Sequence, residues 1–143
     1  MPTRKPPLRN KDGKIVPHDH PEIADDDYVI RHIVPPFDLH TETETEITRV
    51  ASGAYSASDD GGMSVDIQRW MNEDRLDDLH YLPDETQGAT RIRVGDLRAL
   101  GLKVGWDPDD GHPHHGAVWG IKTTHRKKIA RKAETLKKAE GET

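Results

Sequence analysis

Residues 102–121, LKVGWDPDDGHPHHGAVWGI, decide how the fold is read. Leu102-Lys103-Val104-Gly105-Trp106 reads as a strand. Asp107-Pro108-Asp109-Asp110-Gly111 is a strong turn signal, because Pro presets one backbone angle, Asp bonds its own backbone and Gly tolerates φ > 0. His115-Gly116-Ala117-Val118-Trp119-Gly120-Ile121 then reads as a further strand. On the N-terminal side of this unit, Asp96–Leu100 reads as a short helix closed by Gly101, a suitable residue just past a helix end. Before it, Ala89–Val94 alternates polar and apolar residues and reads as a strand. On the C-terminal side, a helix is expected from Thr123 or Thr124 to Glu140. Ile129, Ala133 and Leu136, with Ala130 beside them, form one narrow apolar stripe, and Lys and Arg form the other face, Lys137 among them.

Tyr28–Val34 is rich in β-branched residues, stops at Pro35-Pro36 and reads as a strand. Residues 38–46, DLHTETETE, form a loop or an exposed hairpin arm. Ile47–Tyr55 reads as another strand, and residues 56–62 as a turn. Ser64 is placed to cap a helix running through Ile67, Trp70 and Met71. Residues 72–89 are acidic and irregular, with a helical turn around Leu76 and Leu79. The expected fold is α+β: a small mixed or antiparallel sheet of about five strands with the C-terminal helix packed on one face. In that arrangement the stripe meets Ile30, Val94, Val104 and Val118.

The 143 residues suit one domain, which the reading places at 28–140. Residues 1–27 hold five of the ten prolines and few large apolar side chains, so a disordered or extended tail is expected there, with a short tail at 141–143. The chain is 33% charged and 5% aromatic, so its core must be small. It has no cysteine, which excludes a disulfide scaffold, a thiol nucleophile and cysteine-ligated metal. No apolar run approaches the roughly 20 residues of a membrane span, and no secretory signal is visible, so a cytoplasmic location is expected. Net charge is +4 over residues 1–14, −14 over 15–119 and +5 over 120–143, an acidic body with two basic ends. The acidic body opposes nucleic acid, and no aromatic residues interleave with the basic ones to stack on bases.

Four pieces, Arg31-His32-Ile33-Val34-Pro35, Ser52-Gly53-Ala54-Tyr55, Met63-Ser64-Val65-Asp66, and Asp107-Pro108 through His115-Gly116-Ala117-Val118, occur in this order. Together they resemble a group of small uncharacterised bacterial proteins with a basic C-terminal helix. The resemblance spans about residues 28–139 and supplies an arrangement without a reaction. Ala51, Gly116 and Tyr55 depart from the group's pattern. Arg31, Ser52, Ser64 and His115 match its polar positions.

Three candidate chemistries stand on the residues. Arg31, Ser52 and His115 in one cleft would provide an anion fork, a hydroxyl and a proton relay, loosely parallel to ADP-ribosyltransferase-like folds but without their late glutamate. His112-Pro113-His114-His115 invites a metal. His112 and His114 are the weak candidates for one face, but too few ligands are in view, and no metal or cofactor is expected. His18 and His20 form an equally incomplete pair. A triad of Ser64, His115 and Asp66 can be written, but no Gly-x-Ser-x-Gly elbow, phosphate loop, dinucleotide fingerprint or zinc-protease motif exists. The leading expectation is a small bacterial or phage interaction or accessory protein without catalytic activity, with a protein partner. The alternatives are a small enzyme acting on a nucleotide or phosphate ester, and a nucleic-acid-binding protein using its basic ends.

Overall fold

The computed structural model describes residues 4–58 and 61–143, so Asp59 and Asp60 of the expected turn lie outside the described residues. In chain order the elements are β1 (Tyr28–Ile33), β2 (Leu39–Thr41), β3 (Thr48–Val50), a 3₁₀ turn (Ser52–Ala54), β4 (Gly62–Ile67), α1 (Gln68–Glu73), β5 (Gly88–Arg93), α2 (Val94–Ala99), β6 (Lys103–Trp106), β7 (His115–Trp119), α3 (Thr123–Lys132) and β8 (Glu134–Lys137). Six strands form an antiparallel sheet in the order β6-β7-β4-β1-β5-β8, and β2 and β3 form a separate ribbon. The architecture is the expected α+β arrangement, with α3 packed on the sheet.

Successive side chains of a strand point to opposite faces, and the register sorts them. Val29 lies opposite both Ile67 and Ile92, and Val118 lies opposite both Met63 and Val104. These residues share the main core with Ile33, Val65, Trp70, Leu97 and Ile129. The opposite face carries Ile30 against Asp66, Asp66 against His115, and Ser64 against Ala117. Ile30, Met71 and Ala89 form a second apolar cluster there, under Leu76, Leu79, Tyr81, Leu82 and Leu136. The segment after α1 thus covers β1 and β5 on this face and leaves the polar residues of β4 and β7 beside it.

Three sequence expectations are corrected. Ser64 does not cap a helix: it lies inside β4, opposite Ala117. Met63, Val65 and Ile67 alternate with period two, and the helix begins only at Gln68 with no side-chain cap. The strand expected over Ile47–Tyr55 is confined to Thr48–Val50 and gives way to the 3₁₀ turn, which delivers Tyr55 to the core, where its hydroxyl is 2.8 Å from Thr90 Oγ1. The C-terminal helix stops at Lys132, and Glu134–Lys137 pairs with β5 instead. Helix propensity is a weak prior. It is outweighed here by main-chain bonds to a free sheet edge and by packing of Leu136 against the second apolar cluster.

Lys137 is therefore not on an idle helix face. Its Nζ donates to the carbonyls of Glu85 at 2.8 Å and Gln87 at 2.6 Å, fastening the loop before β5. Lys137→Ala should cost about 1.5–3 kcal/mol, the scale of hydrogen bonds made by a charged donor. Lys128→Ala on the exposed face of α3 should cost under about 0.5 kcal/mol. Equal urea midpoints for the two variants would contradict this role for Lys137.

Residues 18–20 run as a strap along the free edge of β6. His20 N–H donates to Val104 O at 2.9 Å, Val104 N–H to Asp19 Oδ1 at 3.0 Å, and Trp106 N–H to His18 Nε2 at 3.1 Å. Arg98 binds Asp19 and Asp25 and the carbonyl of Ile23. Ile23 and His20 are each 1% exposed. These bonds and two buried side chains offset the ordering entropy that the composition alone argues against. Gly105 permits the crossing, since a Cβ there would lie 2.6 Å from His18 O. Among the described residues no helix is long and apolar enough to cross a membrane.

Candidate functional site

Strand register builds the site. Asp66 and His115 are cross-strand partners on β4 and β7, and Ser64 lies two residues from Asp66 on the same face. His32 of β1 approaches from the other side, its Nε2 3.0 Å from Asp66 Oδ2. That contact is ionic in distance but off the hydrogen-bond axis, so neither atom has an aligned partner among the described residues. His112 is held to Asp66 Oδ1 by Nε2 at 2.8 Å, and its ring stacks on Tyr81 at 3.5 Å. Asp66 is 3% exposed. One buried carboxylate therefore sits between two imidazoles.

His115 is held differently. Its Nδ1 lies 2.7 Å from the carbonyl of Asp107 and 3.4 Å from that residue's carboxylate. With Nδ1–H donating, Nε2 is the basic nitrogen, and it makes no hydrogen bond among the described residues. His115 stands where two clefts meet. One, of about 250 Å³, is lined by Arg31, His32, Asp66, Tyr81 and His112 among others. The second, of about 440 Å³, includes Arg9, Lys14, Asp107 and Asp109 in its walls. Ser64 also belongs to both.

The environments of the neighbouring imidazoles, with ring centroids 5.3 Å apart, push them in opposite directions. Burial lowers the pKa of His112 and outweighs the attraction of Asp66. Burial also works against the His115 cation, but the hydrogen bonds and charge of Asp107, with Asp109, raise its pKa above the usual 6.5. Such opposed pairs are the arrangement from which acid and base roles are assigned. NMR titration should show His115 losing its proton above pH 6.5 and His112 below it. Because the folded-state pKa of His115 is raised, its stabilising contribution is complete below about pH 6.5 and lost as pH rises through the folded value. The stability gap between wild type and Asp107→Asn should accordingly shrink with rising pH. A gap that widens would overturn the assignment.

The sequence candidates separate. Arg31 and His115 line the same cleft, but the Arg31 guanidinium is committed to the carbonyls of Ala54 and Ser64, each at 3.0 Å. Burial pulls its pKa below the ordinary arginine value, against the pull of Asp38 and Tyr55. Ser52 lines a different cavity, beside α3. Of the weak metal candidates, His114 has both ring nitrogens engaged, at 2.6 Å from Tyr81 Oη and 2.6 Å from Asp74 Oδ2, while His112 is bound to Asp66. His18 and His20 likewise use both nitrogens to hold the strap. Among the described residues no group of three His, Asp or Glu side chains is arranged to hold a metal ion.

His32, Tyr81 and the pairing of Asp107 with His115 are not among the sequence candidates. His32 stood next to Arg31 in the quoted motif, and strand alternation puts it on the opposite face from Arg31. Asp107 carried a signal as the first residue of the turn closing onto His115. Tyr81 lay in an irregular stretch and gave none. No family model matches the chain, and neither the curated proteins nor the solved structures contain a match to it, so the site is defined by these residues alone.

Proposed function

We propose that the chain is a small acid–base enzyme acting on a phosphate ester, with His115 as its proton carrier. One observation carries the reading: an imidazole oriented through Nδ1 by Asp107, with Nε2 free of hydrogen bonds among the described residues at the junction of two clefts. Arg9 and Lys14 on the wall of the larger cleft supply positive charge for the anionic oxygens. The raised pKa of His115 favours the protonated form as the starting state. In the reaction, Nε2–H gives its proton to the leaving oxygen as the P–O bond breaks. A water oxygen forms the new bond to phosphorus, and the proton it releases restores His115. Asp66 holds His32 and His112 in place at the inner end of the smaller cleft.

The test is hydrolysis of p-nitrophenyl phosphate and bis(p-nitrophenyl) phosphate by the full chain. Turnover should fall as pH rises through the pKa of His115 and collapse in His115→Gln. No turnover of either ester by the wild type, or equal turnover by the variant, would refute the proposal.

A second reading, as a protein-interaction module, has its own observation. Phe37 is 85% exposed, with Val34 at 38% and Ile47 at 47%, on and beside the ribbon arm. A large exposed aromatic side chain is costly to leave in water and suits a partner surface. Under this reading, proteins that co-purify with the wild type should be lost from Phe37→Asp. Recovery of no stable partner by the wild type counts against it.

A further inference from the structure

We propose that the cleft between the β2–β3 ribbon and α3 binds a polyphosphate chain of the kind carried by a nucleoside triphosphate. The site lies on the helix side of the sheet and is independent of the chemistry at His115. Its cavity is about 690 Å³ and is lined by His40, Arg49, Ser52, Lys127 and Arg131, with Val50, Ala51 and Ala130 as apolar surface. Among the described residues no carboxylate lines it.

Two pairs of basic side chains meet across this space. His40 and Arg49 are cross-strand partners, so their side chains emerge together from one face of the ribbon. Lys127 and Arg131 are four residues apart on α3 and so share one face of that helix. Like charges at this helical spacing are destabilising, and Arg49 adds a third cation across the cleft. Glu42 offsets one of them, from outside the cavity, through a 2.6 Å pair with Arg49. Lys127 and Arg131 have no ion-pair partner among the described residues. A bound polyanion would relieve this repulsion. Arg offers a planar fork for phosphate oxygens, Lys a point charge and Ser52 a hydroxyl.

The same lining determines which part of the ligand is read. It contains no Trp, Tyr or Phe on which a base could stack, so recognition falls on linked phosphates. Arg49, Lys127 and Arg131 line a cavity of about 690 Å³, which has room for more than one phosphate group. The prediction is that inorganic tripolyphosphate binds as well as ATP does.

Isothermal titration of the full chain at low ionic strength, where exposed charges are least screened, tests this with sodium tripolyphosphate, ATP and a short single-stranded RNA. Tripolyphosphate and ATP should bind with similar Kd. Lys127→Ala and Arg131→Ala should each weaken both by about tenfold, or 1.4 kcal/mol, while Lys103→Ala on exposed β6 should not. Urea midpoints matching the wild type would show that the lost affinity is not lost folding. The proposal fails if neither small polyphosphate binds, or if both α3 variants bind unchanged. It also fails if RNA binds through these residues while tripolyphosphate does not, since the cleft would then be a nucleic-acid surface.

Discussion

Trp70→Ala should destabilise the protein by about 3–5 kcal/mol, the range for deleting a large aromatic side chain from a packed core. Trp70 is 1% exposed and ties three parts of the chain together. It projects from α1 into the main core, meets Trp106 of β6 edge-to-face at 5.5 Å, and meets His20 of the strap at 5.5 Å. The Arg4 guanidinium lies 4.1 Å from its ring centre, so even the start of the described chain rests on it. Its removal opens a cavity and withdraws the surface on which the strap is seated. The urea midpoint should fall, and proteolysis should begin within residues 4–23 before the sheet is attacked. Phe37→Ala, at an 85% exposed position, is the matched aromatic control and should shift stability by under about 0.5 kcal/mol. Similar losses from both variants would mean that Trp70 does not hold the strap and core together.

The second large effect concerns chemistry. His115→Gln should lower phosphate-ester turnover by about 10²- to 10⁴-fold, the usual contribution of a positioned acid or base. Glutamine keeps a polar group near Asp107 but cannot carry the proton. Asp107→Asn should do less, because it leaves the imidazole in place and removes the carboxylate that raises its pKa. Its signature is a downward shift of the pH at which activity is lost. A fall in rate without that shift would assign Asp107 a role in folding alone.

The candidate site was legible in pieces. His115 stood out because a strong turn signal delivers it to the start of a strand. Arg31 was correctly placed on an early strand, yet its charged end is spent on main-chain carbonyls, which no sequence pattern announces. Ser52 sits beyond a strand that ends after Val50, and the 3₁₀ turn carries it to the α3 side. The grouping of Asp66 with His32, His112 and His115 joins residues that local sequence does not connect, and it is set by the register of β1, β4 and β7 together with the turn that carries His112.

The fold divides along the same line. Local chemistry alone determined the strands Tyr28–Ile33, Gly88–Arg93, Lys103–Trp106 and His115–Trp119, because alternation, β-branching and turn residues act within a few positions. It also determined the stop after α2, where Gly101 takes φ +84° at no steric cost. Tertiary structure decided the rest wherever two local preferences were close. Glu134, Leu136 and Lys137 are good helix formers, yet the free edge of β5 offered main-chain partners and turned the segment into a strand. Met63–Ile67 could read as the approach to a helix until β1 and β7 paired with it on both sides. The strap has too little apolar surface to fold alone and becomes ordered only against β6, Arg98 and Trp70. In each case the deciding free energy comes from partners distant in sequence, which local composition does not encode.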